Sequence, residues 1–200
     1  MNYELVLATH NNHKVKEIRE ILSPYGITLY GLNDLNLDPG EVKEDGKTYY
    51  ENALIKAREV MKLTNLPIIA DDSGLEIDAL DGFPGLNSAR YASKMGGHHL
   101  AMESILEQLK DEDNRKARFC CTIVLVNQED EPLVFEGEMK GHIAPFIKGN
   151  NGFGYDPFFI ADGYDVSIAE LPENIKNKLS HRYKALRKLI TYLKINSLIK

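Results

Sequence analysis

The sequence predicts an α/β or α+β protein built around a mixed β-sheet, and three observations predict it. Strand-like and helix-like segments mix along the 200 residues without strict alternation. Residues 119–126 are apolar on both faces, which is typical of a central strand. Residues 133–138 return after a polar turn at 128–131, which favours an antiparallel pair and therefore a sheet that is not wholly parallel.

Earlier segments supply further strands and the first helix. Residues 3–8 contain consecutive aliphatic side chains and are predicted to form a buried strand. Apolar residues then recur at helical spacing from about Lys14 until Pro24 and Gly26 end that helix. Residues 27–30 follow as a short second strand.

The most clearly marked helix is predicted at residues 48–62. Thr48 and Glu51 have capping-box spacing, and apolar residues recur behind them at helical intervals. A short buried strand at 68–70 comes next, and residues 75–79 alternate between apolar and acidic side chains, as in a half-exposed strand.

Two further helices and one strand complete the predicted elements. Residues 100–110 and 183–193 each carry an inner stripe of four apolar side chains. Residues 158–160 are predicted to be one more short strand. No Pro/Gly/Ser-rich linker divides the chain, so nothing in the pattern itself marks a domain boundary.

Bulk composition excludes several classes of protein. Hydrophobic residues make up 43% and charged residues 27%, which is ordinary for a soluble globular protein. No apolar run approaches the ~20 residues that span a bilayer, and no basic leader opens the chain, so we expect a cytoplasmic protein with no membrane partner. A net charge of −6 argues against a nucleic acid polymer as partner but permits a small anionic ligand.

The turn between the first strand and the first helix is the first candidate site. A helix N-terminus offers free backbone N–H groups and the positive end of a dipole, which suits a phosphate. Thr9 and Asn11 add hydrogen bonds there, and Lys14 adds a full charge. An ordinary helix cap beside a solvated lysine would have the same sequence.

Two adjacent carboxylates form the second candidate. Asp71 and Asp72 follow the apolar strand and precede Ser73 and Gly74. Carboxylates at the carboxyl end of a strand suit a hard cation such as Mg²⁺, and ligands gather beyond such strand ends. Alternation along a strand predicts that only one of the two carboxylates faces the site. A plain turn is the alternative, since these residue types favour turns.

Two later segments carry aromatic and basic side chains. Residues 149–157 combine glycines, which allow unusual backbone angles, with aromatic rings that can stack on a base. Ser180, His181 and Arg182 open the last helix, with Lys176 upstream, and the side chains of His181 and Arg182 could read a purine carbonyl edge. A simple connection and a solvated basic helix start are the alternatives.

In this order the segments resemble the Ham1/inosine-triphosphatase family, also called dITP/XTP pyrophosphatases. The resemblance covers nearly the whole chain, which we therefore expect to be a single domain, 1–200. It rests on motifs at matching spacing: Thr9-x-Asn11-x-x-Lys14, Thr48-Tyr49-x-Glu51-Asn52-Ala53 followed by Lys56-Ala57, Ala70-Asp71-Asp72-Ser73-Gly74-Leu75, Pro84-Gly85-x-x-Ser88-Ala89-Arg90-Tyr91, Gly152-Phe153-Gly154-Tyr155-Asp156-Pro157 and Ser180-His181-Arg182.

The resemblance implies both a fold and a function. The fold would be an elongated mixed sheet flanked by helices, with two lobes, a central cleft and a homodimeric assembly. The function would be Mg²⁺-dependent hydrolysis of ITP, dITP and XTP to monophosphate and pyrophosphate, which keeps these nucleotides out of DNA and RNA. The expected partners are thus nucleoside triphosphates, and the expected cofactor is Mg²⁺.

The resemblance also implies a role for each matched residue. Asp72 would bind Mg²⁺ and act as, or position, the general base, while Ser73 would contact substrate and Lys176 would bind phosphate. The purine would be recognised by His181 and Arg182. The triphosphate would be held by Thr9, His10, Asn11, Asn12, His13 and Lys14, and the base and sugar by Phe153, Gly154, Tyr155 and Asp156.

One segment departs from the pattern of bacterial members of the family. They often carry two glutamates ahead of the long helix, the first a metal ligand, and Lys43 stands at that position here. Glu44 is the metal ligand that we expect beside Asp72, with Glu41 as the alternative.

Two other functions fit parts of the sequence. A nucleotide-binding regulatory module would keep the cationic and aromatic segments without turnover, but it does not need the carboxylates Asp71 and Asp72. A Maf-like pyrophosphatase with another base preference is the second alternative, and the presence of both segments, residues 152–156 and residues 180–182, argues against it.

Overall fold

Six strands form one mixed sheet in the computed structural model, which describes residues 3–128 and 131–200. Strand β1 lies parallel to β2 and β3, and β6 lies antiparallel to β5. The order across the sheet is β2-β1-β3-β4-β5-β6. The strands are β1 (Tyr3–Leu7), β2 (Ile27–Gly31), β3 (Ile68–Ile77), β4 (Lys116–Val126), β5 (Leu133–Ile143) and β6 (Phe159–Ala161). The predicted mixed sheet is confirmed.

The predicted antiparallel pair is also present. The Ile143 N–H, at the end of β5, donates to the Arg115 carbonyl just before β4. The end of one strand therefore lies beside the beginning of the other, and β4 and β5 run antiparallel. Of the turn predicted at 128–131, residues 129 and 130 lie outside the described residues.

Six α-helices accompany the sheet in the described part of the chain: α1 (Asn12–Leu22), α2 (Tyr49–Met61), α3 (Ser88–Met95), α4 (His98–Gln108), α5 (Glu173–Leu179) and α6 (His181–Ile195). The four predicted helices correspond to α1, α2, α4 and α6. Helices α3 and α5, of 8 and 7 residues, were not predicted, because two turns show too little apolar periodicity. No helix among the described residues is long and apolar enough to cross a membrane.

Strand β3 corrects one prediction. A turn was the alternative for residues 71–74, and 68–70 and 75–79 were expected to be separate strands. Instead β3 runs without interruption through Asp71, Asp72, Ser73 and Gly74. Local turn preferences are weak compared with pairing to neighbouring strands, and β3 has one on each side, β1 and β4. Both carboxylates are consequently held on a strand rather than in a flexible loop.

The chain forms two compact units. The first comprises residues 1–72, 121–137 and 182–200, and the second comprises 73–120 and 138–181. Each unit has its own apolar core.

In the first unit, alternate residues of the strands supply two apolar clusters. Leu5 and Leu7 pack with α1 and α6, whereas Val6 and Ala8 pack with α2. Because alternate side chains point to opposite faces of a sheet, helices cover both faces here. The strands are buried on both sides, which explains their continuous apolar runs.

In the second unit, helix α4 packs its inner stripe on β3, β4 and β6. Ala101, Met102 and Ile105 of the helix share one cluster with Ile77, Phe119 and Phe159. Tyr155 of the loop at residues 152–156 belongs to the same cluster, as does Phe158, which follows the loop, so the loop is anchored to this core.

Candidate active site

The turn from β1 into α1 is organised by its own side chains. Asn11 caps the helix, and its Oδ1 accepts hydrogen bonds from the His13 N–H at 3.0 Å and the Lys14 N–H at 3.2 Å. Thr9 Oγ1 accepts the Asn11 N–H at 3.2 Å. His10, Asn11, Asn12 and His13 are exposed, as a ligand-binding turn requires. Since Asn11 already uses two of the helix amides, anion binding here would depend on side chains and the remaining amides.

Lys14 points into a buried ionic network. Its Nζ lies 3.0 Å from Asp71 Oδ1 and 2.9 Å from Asp71 Oδ2. Arg182 Nε and Nη2 each lie 3.3 Å from Asp71 Oδ2, and Arg182 Nη1 lies 2.8 Å from Glu17 Oε2. The side chains of Asp71 and Arg182 are each only 2% exposed.

The charges of this network also shift the pKa of the Asp71 carboxyl. Burial alone would raise it, but the positive charges of Lys14, Arg182 and Lys56 outweigh burial and hold the pKa well below its usual range. Asp71 is therefore an ionised anchor for Lys14 and Arg182. Arg182, predicted to recognise a purine, is buried and pairs with two carboxylates, those of Asp71 and Glu17.

Asp72 has different partners, as alternation along the strand predicted. Its Oδ2 accepts from Asn52 Nδ2 at 3.2 Å, and its Oδ1 lies 3.6 Å from Lys56 Nζ. Lys56 Nζ also donates to Glu44 Oε2 at 2.8 Å. Asn52 and Lys56 are four residues apart on α2, so they share one face of that helix.

The two titrating groups of this cluster have shifted pKa values. Burial is the main cause that raises the pKa of Asp72, and the nearby Lys56 only partly opposes it. Burial would lower the pKa of Lys56, but the attraction of Asp72, Asp71 and Glu44 raises it overall. Lys56 is thus a stable cation, and Asp72 is more basic than an ordinary aspartate.

Sequence reasoning missed Asn52 and Lys56 as site residues, although both lie in a motif that carried the resemblance. The available signal was their i, i+4 spacing on a helix whose other face is apolar. The spacing says that the two side chains lie together, but it does not say which carboxylates they meet.

Asp72 and Glu44 fit the ligand requirements of Mg²⁺. Both carboxylates contact the same ammonium, that of Lys56, so they converge on one region that tolerates a cation. Among residues 3–128 and 131–200, no group of three or more His, Cys, Asp or Glu side chains is placed to hold a metal. Mg²⁺ typically binds one or two carboxylates and completes its shell with water and substrate phosphates. Lys43, in contrast, pairs with Asp45 on the surface.

In the second unit, a tight loop displays Phe153. Its N–H donates to Asp156 Oδ2 at 3.0 Å, and Lys176 Nζ lies 3.3 Å from the same oxygen. Lys176 Nζ also lies 5.5 Å from the centre of the Phe153 ring, which is 42% exposed. Gly152 is required beneath them, because its φ is 84° and a Cβ there would collide with Asp156 Oδ2. The ring is thus held by its neighbours yet open to a stacking partner.

Tyr155 and His181, both predicted to face substrate, are packed inside the second unit. Tyr155 is 4% exposed and donates its hydroxyl to the Ser88 carbonyl at 2.9 Å, and burial raises its pKa to about 12. His181 is buried and stacks on Phe119 at 5.1 Å between ring centroids. Gly154 has a left-handed φ of 69°, and Ser73 is half-buried on β3.

Seven of the predicted residues therefore fall into three clusters. Lys14 and Arg182 meet at Asp71, Asp72 and Glu44 meet at Lys56, and Phe153, Asp156 and Lys176 meet in the second unit. The first two clusters share β3 and belong to the first unit.

Comparison with known proteins covers almost the whole chain. The model of the Ham1 family matches residues 5–192. A dITP/XTP pyrophosphatase of Clostridium perfringens is 44% identical over 199 residues, with 96% of this chain and 97% of that protein covered. A dITP/XTP pyrophosphatase of Bacillus subtilis is 44% identical over 188 residues, which cover 93% of this chain and 94% of that protein.

Two solved structures are similar over nearly their full lengths. The Ham1 protein of Staphylococcus aureus is 37% identical with a TM-score of 0.86, and 96% of this chain and 99% of that chain are covered. A HAM1 protein from Coxiella burnetii is 41% identical with a TM-score of 0.87, and 97% and 99% are covered.

Proposed function

The chain belongs to the Ham1 family, and from that premise we propose that it is a hydrolase of non-canonical purine nucleoside triphosphates. ITP, dITP and XTP would be converted to monophosphate and pyrophosphate. The observation that carries the proposal is Asp72, a carboxylate of raised pKa held on a strand between Asn52 and Lys56. Relatives 44% identical over nearly their full length, named dITP/XTP pyrophosphatases, support the choice of substrate.

Mg²⁺ is the proposed cofactor, and Asp72 and Glu44 are its proposed protein ligands. The fit rests on the convergence of both carboxylates on Lys56 and on the preference of Mg²⁺ for carboxylate, phosphate and water oxygens. When bound, the ion would offset phosphate charge and make a coordinated water more acidic.

The chain's own residues supply the other parts of the reaction. Asp72 is assigned to accept the proton of the water that attacks the triphosphate, as the bond between the α- and β-phosphates breaks and pyrophosphate leaves. Its fixed position on β3, where Asn52 holds one carboxylate oxygen, suits this role, since a general base must be held within hydrogen-bond reach of the water. Lys14, Lys56 and Lys176 are assigned to offset the charge of the phosphates.

Base selectivity is assigned to the 6-position of the purine. Donors from His181, Arg182 or loop amides would satisfy a 6-keto oxygen, whereas the 6-amino group of adenine would meet them donor to donor. A buried group left unpaired in this way costs about 1–3 kcal/mol. The exposed Phe153 ring is assigned to stack on the base.

The substrate panel tests this proposal directly. ITP, dITP and XTP should be cleaved with a kcat/KM ~5- to 150-fold above those for ATP and CTP, because each unpaired donor costs ~1–3 kcal/mol. The measurement is release of pyrophosphate and monophosphate from each nucleotide, with and without Mg²⁺. Comparable kcat/KM for ATP, or orthophosphate as the first product, would contradict the proposal.

A pair of glutamate variants tests the metal ligand. Glu44→Gln should raise the Mg²⁺ concentration needed for half-maximal rate, because Glu44 and Asp72 converge on Lys56. Glu41→Gln is the matched control, an exposed residue of the same segment, and should leave that concentration unchanged. The reverse pattern would assign the ligand to Glu41, and equal mild effects would mean that Asp72, phosphate and water suffice.

Assembly and compartment are proposals of the same kind. We propose a homodimer located in the cytoplasm, acting on free nucleotides rather than on a nucleic acid polymer or a membrane. The support is the family membership for the dimer and the net charge of −6 for the absence of a polyanionic partner.

A further inference from the structure

Ser88 is a buried polar residue on which three segments of the second unit meet. Its side chain is at the start of α3 and the residue is 7% exposed. Ser88 Oγ accepts the Leu75 N–H at 2.9 Å and donates to the Gly85 carbonyl at 2.6 Å. The Ser88 carbonyl accepts the Tyr155 hydroxyl at 2.9 Å. One residue therefore ties strand β3, the turn before α3 and the loop at 152–156 together.

Two of the three tied segments, strand β3 and the loop at 152–156, lead to a residue of the proposed site. Leu75 follows Asp72 by three positions on β3, and Tyr155 follows the exposed Phe153 by two. A shift of the Tyr155 hydroxyl would move the loop backbone, and with it both the Phe153 ring and the loop amides to which base selectivity is assigned. The amide of Leu75 fixes where β3 passes Ser88.

We propose that Ser88 and the Tyr155 hydroxyl are positioning residues that set nucleobase discrimination. The inference rests on the proposed function. Tyr155 itself does not contact the base; it holds the loop whose Phe153 ring stacks on the base. The hydroxyl fixes the orientation of the Tyr155 side chain through its hydrogen bond. The ring itself is held by contacts with the rings of His98 and Phe158, at 5.2 and 5.8 Å between centroids.

The hydrogen bond from the Tyr155 hydroxyl to the Ser88 carbonyl should affect binding of the nucleotide rather than the rate of the hydrolytic step. Asp72 is held by Asn52 and Lys56, which belong to α2 and not to the loop. Loss of the Tyr155 hydroxyl should consequently weaken recognition of the base while the hydrolytic step proceeds from the same carboxylate. A merely structural tyrosine would lower stability without changing which base is preferred.

Tyr155→Phe is the test, and Tyr91→Phe is its matched control. Tyr91 donates its hydroxyl to Ser104 Oγ, also at 2.9 Å and also in the second unit, but it is not part of the loop. Tyr155→Phe should raise KM for ITP by about three- to tenfold, as expected for one hydrogen bond, with little change in kcat. The ratio of kcat/KM for ITP over ATP should fall, and Tyr91→Phe should leave both quantities unchanged.

A second variant tests the inference at a residue outside the loop, Ser88 at the start of α3. Ser88→Ala retains the carbonyl that receives the Tyr155 hydroxyl but leaves the Leu75 N–H without its acceptor, and it should move KM and the ITP-to-ATP ratio in the same direction. A folded Tyr155→Phe with wild-type KM and wild-type ratio would overturn the inference, as would equal shifts in Tyr91→Phe. Wild-type enzyme without any preference for ITP would contradict the proposed function instead, so the two failures are distinguishable.

Discussion

Asp72→Asn should turn over ITP at least ~10²-fold more slowly than the wild type, because general-base assistance alone contributes ~10²–10⁴-fold. The change removes the charge and the proton acceptor while it keeps the shape of the side chain. Asn52 and Lys56 remain in place to hold the amide, so the variant should fold. Loss of a metal ligand should add to the defect.

Nucleotide binding should suffer much less in this variant. Lys14, Lys176 and the loop that carries Phe153 are unchanged, and they are assigned to hold the phosphates and the base. Steady-state kcat, together with ITP affinity from calorimetry on the same preparation, separates the two quantities. Near-wild-type turnover in a well-folded Asp72→Asn would falsify the catalytic assignment and favour a nucleotide-binding module without turnover.

Asp71→Asn should instead lose stability, by ~3–5 kcal/mol, as breaking a buried ion pair does. From the sequence alone, alternation along the strand turns Asp71 away from Asp72, so Asp71→Asn would be the milder of the two changes for turnover. In the structure, Asp71 is the counter-charge of two cations, Lys14 and Arg182, and it is 2% exposed. An asparagine removes the charge that Lys14 and Arg182 share, and it leaves the buried Arg182 guanidinium beside Glu17 without the carboxylate of Asp71.

Thermal or urea unfolding measures this effect. Glu59→Gln is the control in the same unit, because it breaks an exposed pair with Lys62 that is worth at most ~1 kcal/mol. The pH dependence gives a further check. The pKa of Asp71 is lowered on folding, so its contribution is complete above the unfolded value of ~3.9 and is lost only as pH falls through the folded pKa. The deficit of the variant should therefore be constant from neutral pH down to mildly acidic pH. A deficit no larger than that of Glu59→Gln would show that the network does not stabilise the fold.

Much of the fold could be read from local patterns. Helices α1, α2, α4 and α6 follow from apolar residues at helical spacing, and the mixed sheet follows from the apolar runs of β1 and β4 and the polar turn before β5. The site motifs were located for a similar reason, since glycines, carboxylates and a helix N-terminus each have a chemistry that shows in a few adjacent residues.

The pairings inside the site depend on contacts between distant parts of the chain. Arg182 meets Asp71 across 111 positions, and Lys56 meets Glu44 only because α2 packs beside the segment that precedes it. The continuity of β3 through residues 71–74 comes from strands on both sides of it. The residue type predicts that a buried carboxylate pairs with a cation. Packing determines which cation it is, because burial and distance together decide the energy of an ion pair.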